Sequence, residues 1–441
     1  MSDWLVRLLD ANAGCAYLRQ FGSPRTLDVF RAQVPLCCYE DVRPWVERIA
    51  AGEANALFAG RPTAFERTSG SSGGAKLIPY TEAGLLDFQR NLAPWLWRLI
   101  HGYAVRGTVY FATSPVVRHP ETVGSVPVGL PDAAYLGKDV AQWLAVHAVG
   151  LETARCVNLD DWRAATLAVL GRAHDLEFIS VWSPSFLLGL LDGLPDPADM
   201  WPHLKLVSCW MSAASHPYAE ELQRRLPHAC FEAKGLMSTE GVVSVPDTNG
   251  RAVLAEQGFF EFLPESEDSP LTAEALENGL TYEVILTTAS GLYRYRTGDR
   301  VRMEGRAQQG RPILAFLGRD FVSDLVGEKL TEAFVAQCLA PLACECLLTP
   351  NAATPGYVLF AARMLSEEEV AATEARLARN PHYAYACALG QLRPLSFVFC
   401  PYLRNKIERR LLASGIAPGQ VKFPALRCES DWVVSLTETD P

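Results

Sequence analysis

The apolar positions in the first hundred residues repeat with helical spacing. Residues 4–9 and 45–50 each place large side chains on one face, and Pro44 suits the first position of the second helix. Thr81 can cap a longer helix, in which a row of apolar positions predicts a buried side. These positions are Leu85, Leu86, Phe88, Leu92, Trp95, Leu96 and Leu99. Pro94 should kink or divide this helix, because proline has no N–H to donate.

Short apolar runs follow, and they alternate with helical segments. The runs at 108–112, 178–182 and 204–210 predict buried strands, while residues 161–172 predict a helix between the first two. Strands that alternate with helices indicate a largely parallel sheet in an α/β domain. From residue 258 to 317 the apolar runs are closely spaced, and they include separate short strands at 292–295 and 301–303. This pattern predicts an antiparallel, barrel-like section that closes the domain.

The last part of the chain predicts a separate small α+β domain. A strand pattern at 357–362 precedes a helix that Ser366 and Glu369 open as a capping box. We therefore divide the chain into a large domain, residues 1–319, and a small, mobile domain, residues 320–441.

Length and charge exclude several classes of protein. A chain of 441 residues is too long for one ordinary core, so it should hold two or more domains. A formal charge of −10 argues against a general nucleic-acid binder. No run approaches the roughly 20 apolar residues of a membrane span, and the N-terminus lacks a signal-peptide pattern. We expect a cytoplasmic monomer that binds neither nucleic acid nor membrane.

Cysteine and histidine spacing predicts no metal cluster. The twelve cysteines include no C-x-x-C pair and the eight histidines include no H-x-x-x-H pair. Reduced thiols that act as small apolar fillers are the expectation.

Residues 68–76 contain four hydroxyl residues, three glycines and one lysine, a composition that favours an anion-binding loop. A plain linker has the same composition. A Walker P-loop would need a hydroxyl residue after Lys76, where Leu77 stands. A nucleophile elbow fits the G-x-S-x-G pattern at 70–74, but it requires a helix directly afterwards, which Pro79 would disrupt.

Four clusters farther along the chain carry groups that suit a nucleotide. The hydroxyls and carboxylate of residues 238–240 could hold a phosphate and magnesium. Asp299, after a glycine turn, could accept both hydroxyls of a ribose. Arg319 and Lys329 are cations beside glycines that could act as hinges, and Lys422 is a loop lysine that could neutralise a reacting phosphate.

The order of these clusters resembles the adenylate-forming superfamily of acyl and aryl acid ligases, which includes the acyl-CoA ligases and luciferases. Within it, the chain is most similar to the acyl acid amido synthetases, the Gretchen Hagen family of plant auxin and jasmonate conjugation. The similarity runs from about residue 25 to 428, and the residues that carry it are 30–36, 39–41, 68–73, 76–81, 291–295, 298–299, 327–329 and 420–424. Met237 stands before Ser-Thr-Glu where the plant motif has Tyr-Ala-Ser-Ser-Glu.

The resemblance implies an adenylate-forming fold, with a large α/β plus β-barrel domain and a small domain that rotates between half-reactions. It implies that ATP and Mg²⁺ convert a carboxylic acid to an acyl adenylate and pyrophosphate, after which an amine or amino acid takes the acyl group as an amide.

The resemblance also implies roles for particular residues. Lys422, Lys329 and Glu240 would be catalytic, and Glu240 would hold the metal. The nucleotide would be bound by Thr68, Ser69, Gly70, Ser71, Ser72, Gly73, Lys76, Ala213, Ala214, Met237, Ser238, Thr239, Asp299 and Arg319. The acid pocket would be lined by Phe88, Leu92, Trp95, Val117 and Arg118.

Two further functions are compatible with the same residues. An adenylating enzyme can pass the acyl group to a thiol of coenzyme A or a carrier protein. A homologue without catalysis could bind a nucleotide or an acid.

Overall fold

The structure is a computed structural model. It describes residues 2–67, 76–112, 121–156, 159–265, 269–319, 322–323, 325, 328, 330–351, 354–388, 392–414, 416 and 421–437. These residues form two compact units that divide between Phe316 and Leu317, with residues 213–215 grouped in the second unit. The domain boundary between residues 319 and 320 stays a prediction.

The α-helices are α1 (Ser2–Asn12), α2 (Ala16–Gln20), α3 (Leu27–Gln33), α4 (Tyr39–Ala50), α5 (Glu82–Gly102), α6 (Lys138–His147), α7 (Leu159–Leu170), α8 (Pro184–Leu191), α9 (Pro197–Met200), α10 (His216–Arg225), α11 (Glu332–Leu339), α12 (Glu367–Leu377), α13 (Pro381–Ala388), α14 (Leu403–Ala413) and α15 (Asp431–Thr437).

The strands are β1 (Ala64–Arg67), β2 (Leu77–Tyr80), β3 (Thr108–Phe111), β4 (Glu121–Val123), β5 (Val126–Val128), β6 (Ala148–Val149), β7 (Leu176–Ser180), β8 (Leu206–Cys209), β9 (Cys230–Ala233), β10 (Ser244–Pro246), β11 (Ala252–Leu254), β12 (Phe259–Pro264), β13 (Leu271–Thr272), β14 (Thr281–Thr287), β15 (Tyr295–Arg306), β16 (Pro312–Arg319), β17 (Val322–Ser323), β18 (Leu330–Thr331), β19 (Cys346–Asn351), β20 (Gly356–Ala361) and β21 (Ser396–Phe399).

Two helices near the N-terminus differ in detail from the prediction. Helix α4 begins at Tyr39, because Asp41 accepts the Cys38 N–H at 2.8 Å in the manner of a capping box, and Pro44 therefore lies inside the helix. The Thr81 cap of α5 is confirmed: its hydroxyl accepts the Gly84 N–H at 2.9 Å. Pro94 does not divide α5, and Leu86 is exposed, contrary to the prediction.

The predicted parallel sheet is confirmed in the first unit. Its strand order is β6-β3-β7-β8-β9, and all its pairs are parallel. One face packs against α5 and α6, and the other against α7, α8 and α10. From β3 the chain runs to β6 on one side, and from β7 it continues to β8 and β9 on the other side. The topological switch point, where the direction of the connections reverses, therefore lies between β3 and β7.

A seven-stranded sheet forms the predicted antiparallel section, in the order β10-β11-β16-β15-β14-β12-β13. The strands predicted separately at 292–295 and 301–303 fall on a single strand, because β15 spans Tyr295–Arg306 and only residues 292–294 lie outside it. Its register against β14 shifts between Ile285 and Glu283. The extra residues form a β-bulge, which changes where the side chains of this strand point.

The second unit contains a three-stranded sheet in the order β19-β20-β21 and the short pair β17-β18. The capping box of Ser366 and Glu369 is confirmed at the start of α12. Within the described part of the chain, no helix combines the length and the apolarity that a membrane crossing requires.

Candidate functional site

The glycine-rich segment connects two antiparallel strands of the first unit. Arg67 on β1 pairs with Leu77 on β2, so the chain reverses direction between them. A strand follows the segment, whereas a P-loop and a nucleophile elbow both lead into a helix. This arrangement disfavours both alternatives. Residues Thr68, Ser69, Gly70, Ser71, Ser72 and Gly73 themselves lie outside the described residues.

Lys76, at the end of this segment, lies between two tyrosines. Its Nζ donates to the Tyr295 hydroxyl at 3.3 Å and lies 5.5 Å from the centre of the Tyr39 ring. The Tyr39 hydroxyl in turn accepts the Leu77 N–H at 2.8 Å. The lysine is therefore tied to β15, the strand that also carries Asp299.

Residues 237–242 form a tight turn. Met237 and Val242 pair as an antiparallel bridge, and the Ser238 N–H donates to the Gly241 carbonyl at 2.9 Å. Thr239 and Glu240 consequently occupy the tip of the turn. The Tyr80 hydroxyl on β2 donates to the Thr239 carbonyl. Burial, followed by the charges of neighbouring carboxylates, raises the pKa of Tyr80, so this hydroxyl keeps its proton and remains a donor.

Glu240 is the candidate metal ligand. It is buried, with 4% of its surface exposed, and no ion pair or hydrogen bond to its carboxylate occurs among the described residues. The same residues contain no cluster of three or more His, Cys, Asp or Glu groups that could hold a metal. A single carboxylate fits magnesium, which often binds one or two carboxylates together with substrate phosphates and water.

Asp299 owes its position to the bulge in β15. Gly298 has a φ of 73°, a left-handed conformation that favours glycine. The Thr297 hydroxyl accepts the Asp299 N–H at 3.0 Å and donates to the Val284 carbonyl at 2.9 Å. These contacts fix the buried Asp299 within the bulge, so its predicted ribose-binding side chain sits on a rigid backbone.

The arginine in the middle of the same motif has a structural role that the sequence did not reveal. Arg294 forms a bidentate pair with Glu261 at 2.8 and 3.0 Å, and it donates to the carbonyls of Arg31 and Val34, both at 2.7 Å. Arg31 also donates to Glu261 at 3.0 Å. This buried cluster joins the end of α3 to the seven-stranded sheet.

The residues predicted for the acid pocket lie along one side of α5. Phe88 packs 5.6 Å from the ring of Tyr80, the tyrosine that holds the 237–242 turn. Leu92 and Trp95 are buried against the parallel sheet. Val117 and Arg118 lie outside the described residues.

Sequence reasoning missed Lys234, which follows β9 at the carboxyl edge of the parallel sheet. Its Nζ donates to the Ser180 hydroxyl at 2.9 Å and lies 4.8 Å from the Trp182 ring and 5.2 Å from the Trp95 ring. Burial lowers the pKa of Lys234 to about 7, and Cys209 opposes this shift only in part. The one available signal was a lysine directly after an apolar strand, and such a lysine is usually solvated.

Replacing Lys234 with methionine is expected to stabilise the protein by about 1–4 kcal/mol near pH 7, because a buried ionisable group gives way to an apolar one of similar size. The pKa of Lys234 returns from about 7 to 10.5 on unfolding. Between these values only the unfolded chain binds the proton, so wild-type stability rises with pH across this window. The difference between the variant and the wild type should therefore shrink from pH 7.5 to 10 in urea denaturation.

The control for this measurement is Lys205→Met. Lys205 lies at the opposite edge of the same sheet and pairs with Glu177 at 2.9 Å. The difference in unfolding free energy between Lys205→Met and the wild type should not shrink in this way as the pH rises. A constant difference between Lys234→Met and the wild type at all pH values would contradict a largely neutral lysine.

The remaining predicted residues belong to the second unit. Glu328, within the predicted hinge motif, is fully buried and accepts the Leu325 N–H at 2.8 Å and the Tyr357 hydroxyl. Lys422 is exposed, while its neighbours Val421 and Phe423 pack in the core of the unit. The segment is thus anchored on both sides of the lysine.

Of four other predicted positions, three have a described backbone. Ala213 has a φ of 51°, and with Ala214 it lies on the short 3-10 turn Ala213–Ser215. Arg319 ends β16. Lys329 lies outside the described residues.

Several curated plant enzymes are similar to this chain. The jasmonoyl–L-amino acid synthetase JAR4 of Nicotiana attenuata is 24% identical over 403 residues, which cover 72% of this chain and 68% of that enzyme. The indole-3-acetic acid-amido synthetase GH3.2 of Arabidopsis thaliana is 25% identical over 389 residues, which cover 68% of this chain and 70% of that enzyme.

Solved structures share the fold. The GH3.15 acyl acid amido synthetase superposes with a TM-score of 0.81 at 18% identity, covering 98% of this chain and 91% of that one. A 2-hydroxyisobutyryl-CoA ligase superposes with a TM-score of 0.53 at 15% identity, covering 91% and 86%. At these identities the likeness establishes the fold, and it confirms the predicted adenylate-forming fold.

Models of one protein family match both halves of the first unit. The GH3 family N-terminal domain matches residues 2–199, and the GH3 family central domain matches residues 251–319. Together they cover more than half of the chain, which therefore belongs to the GH3 family.

Proposed function

We propose that this GH3-family protein is an ATP-dependent acid–amine ligase that adenylates a carboxylic acid and passes the acyl group to an amine or amino acid. The observation that carries the proposal is the link between two predicted nucleotide-binding clusters. Through Tyr80, the strand that leaves the glycine-rich segment holds the turn that presents Thr239 and the buried Glu240. The names of the amido synthetases similar to this chain support the amine as acceptor.

In the first half-reaction a carboxylate oxygen would bond to the α-phosphorus of ATP, and the bond to the bridging oxygen would break to release pyrophosphate. Both reactants are negatively charged, so cations must offset their repulsion. Lys76 and the 237–240 turn would hold phosphate oxygens, and Asp299 the ribose. Glu240 would hold Mg²⁺, which when bound neutralises phosphate charge.

In the second half-reaction the amine nitrogen would attack the carbonyl carbon of the adenylate. The carbon–oxygen bond to AMP breaks, and the nitrogen loses a proton. We expect the small domain to rotate between the two steps, and the enzyme to act as a cytoplasmic monomer. Lys422 and Lys329 would offset charge on the reacting phosphate.

The test is acid-dependent exchange of labelled pyrophosphate into ATP, with a panel of aryl, fatty and amino acids and Mg²⁺. We expect at least one acid to support exchange. Mass spectra of the products with amines and with thiols then identify the acceptor. If the protein is folded and none of the acids supports pyrophosphate exchange, adenylation is contradicted. If exchange occurs but the only products are thioesters, the amide ligase is contradicted.

A further inference from the structure

Lys234 is a buried amine for which no counter-charge is available in the described structure. The carboxylate on the same face of β9, Glu232, is already bound by Arg98 at 2.9 and 3.0 Å and by the Tyr103 hydroxyl at 3.1 Å. No Asp or Glu pairs with Lys234 among the described residues. Charging a buried amine without a counter-charge is costly, so an anion that binds beside Lys234 would stabilise its charged form.

Two buried polar groups in this region lack hydrogen-bond partners among the described residues: Trp95, whose ring lies beside the Lys234 amine, and Ser208, which lies opposite Ser180 on the neighbouring strand. The indole N–H of Trp95 and the hydroxyl of Ser208 are buried with no hydrogen-bond partner in the described part of the chain. Buried donors are normally satisfied, and such exceptions often mark a place that a ligand completes. Trp95 is 95% buried, since 5% of its surface is exposed, and its ring contacts the Lys234 amine.

The position in the fold points to a ligand as well. In open parallel sheets, ligands bind beyond the carboxyl ends of the strands at the switch point. That point lies between β3 and β7 here, and Ser180 is the last residue of β7. The Lys234 amine reaches Ser180 from the last strand of the sheet, so it lies beside the switch point.

Two aromatic rings, those of Trp95 and Trp182, lie beside the amine. Trp182 and Trp210 contact each other with ring centres 5.7 Å apart, and Trp95 on α5 faces the amine from the helix side. Their surfaces suit the flat or apolar body of an acid rather than a triphosphate. A carboxylate poised to attack phosphorus would lose reactivity in a buried ion pair, because the pair stabilises the ground state.

We propose that Lys234 is a specificity-determining residue that pairs with a second anionic group on the acid substrate, at the end remote from the carboxylate that is adenylated. The preferred substrates are then dicarboxylic acids or acids with another ionised group, and Trp95 donates a hydrogen bond to the same group. This inference rests on the proposed adenylation of an acid.

The first experiment compares matched acids in pyrophosphate exchange, such as terephthalate with 4-methylbenzoate and adipate with hexanoate. Each pair differs by a carboxylate in place of a methyl group. A charged hydrogen bond in a buried site predicts that the wild type prefers the dicarboxylate by about tenfold or more. Lys234→Met should reverse this preference, while Lys205→Met should keep it. An unchanged preference in Lys234→Met would overturn the proposal.

The second experiment measures terephthalate binding by calorimetry without ATP. At pH 8 the amine of Lys234 is mostly neutral, since its pKa is about 7, and an adjacent anion favours the charged form. Of the groups around it, Arg98 is already paired with Glu232, and Cys209 is a buried thiol whose pKa is raised to about 12 by burial. Binding should therefore take up protons, seen as a dependence of the heat on the buffer, and Lys234→Met should abolish the uptake.

The two experiments separate the inference from the proposed function. If only monocarboxylic acids support pyrophosphate exchange, the proposed role of Lys234 is overturned, while the proposed ligase function stands. Terephthalate binding that depends on Lys234, without exchange by any acid, would support the anion site and contradict the ligase. A Lys234→Met variant that changes only the KM for the amine would assign the anion to the acceptor and overturn the proposal.

Discussion

Replacing Lys422 with alanine is expected to lower the rate of acid-dependent pyrophosphate exchange by about 10²–10³-fold, the usual cost of losing one group that stabilises charge in a transition state. ATP binding should weaken only a few-fold, because several other residues are proposed to hold the nucleotide. Exchange kinetics and calorimetric titration with ATP would measure the two effects separately.

A loss of exchange in Lys422→Ala can be assigned to the missing amine, because the substitution should not disturb the fold. Lys422 is exposed, and the flanking Val421 and Phe423 anchor its segment, so removal of the side chain beyond Cβ should leave the unit folded. Lys406→Ala is the matched control, since Lys406 donates to the Leu436 carbonyl at 3.2 Å within the same unit and has no proposed role in the reaction. Equal exchange rates in both variants and the wild type would remove Lys422 from the mechanism.

Replacing Glu261 with alanine is expected to lower the free energy of unfolding by about 3–5 kcal/mol, because the change leaves a buried arginine without its partner. Arg294 and Glu261 expose only 7% and 1% of their side chains. Urea denaturation followed by tryptophan fluorescence would measure the loss. Replacement of Glu261 and Arg294 together by methionine should recover part of the lost stability, because the buried Arg294 charge is then gone and only the partly exposed Arg31 has lost its carboxylate partner.

A neighbouring ion pair gives the control. Arg296, two residues after Arg294, pairs with Glu283 at 2.5 Å, but about half of its side chain is exposed. Glu283→Ala should therefore cost no more than about 1 kcal/mol. If Glu261→Ala also lowered the free energy of unfolding by no more than about 1 kcal/mol, the buried cluster would not be what joins α3 to the sheet.

Local sequence signals predicted those elements in which a few adjacent residues decide the outcome. The cap at Thr81 and the capping box of Ser366 and Glu369 are complete within four residues, so they could be recognised without the fold. The parallel sheet followed from apolar runs that alternate with helical segments.

The error in the strands around Gly298 arose because the same residue type occurs in two kinds of structure. Gly298 favours both a turn between strands and a bulge within one, so β15 was predicted as two strands.

The candidate site shows a different limit. The order of the motifs indicated the family, but not which residues of a motif are structural, and Arg294 is an example. The sequence does not reveal that the amine of Lys234 is buried. Its burial depends on Trp95 and Trp182, which lie 139 and 52 positions away in the chain, and only the fold brings these side chains together.

The hairpin that carries the glycine-rich segment also affects how the family can evolve. Where a phosphate loop leads directly into a helix, the loop determines which side of the helix faces the core. One residue added in the first turn then rotates all following side chains by about 100° around the helix axis. Here the segment is followed by β2, whose position is set by cross-strand pairing from Arg67–Leu77 onwards. Insertions and deletions between these strands can therefore change the length of the proposed nucleotide-binding segment while the strands keep their register.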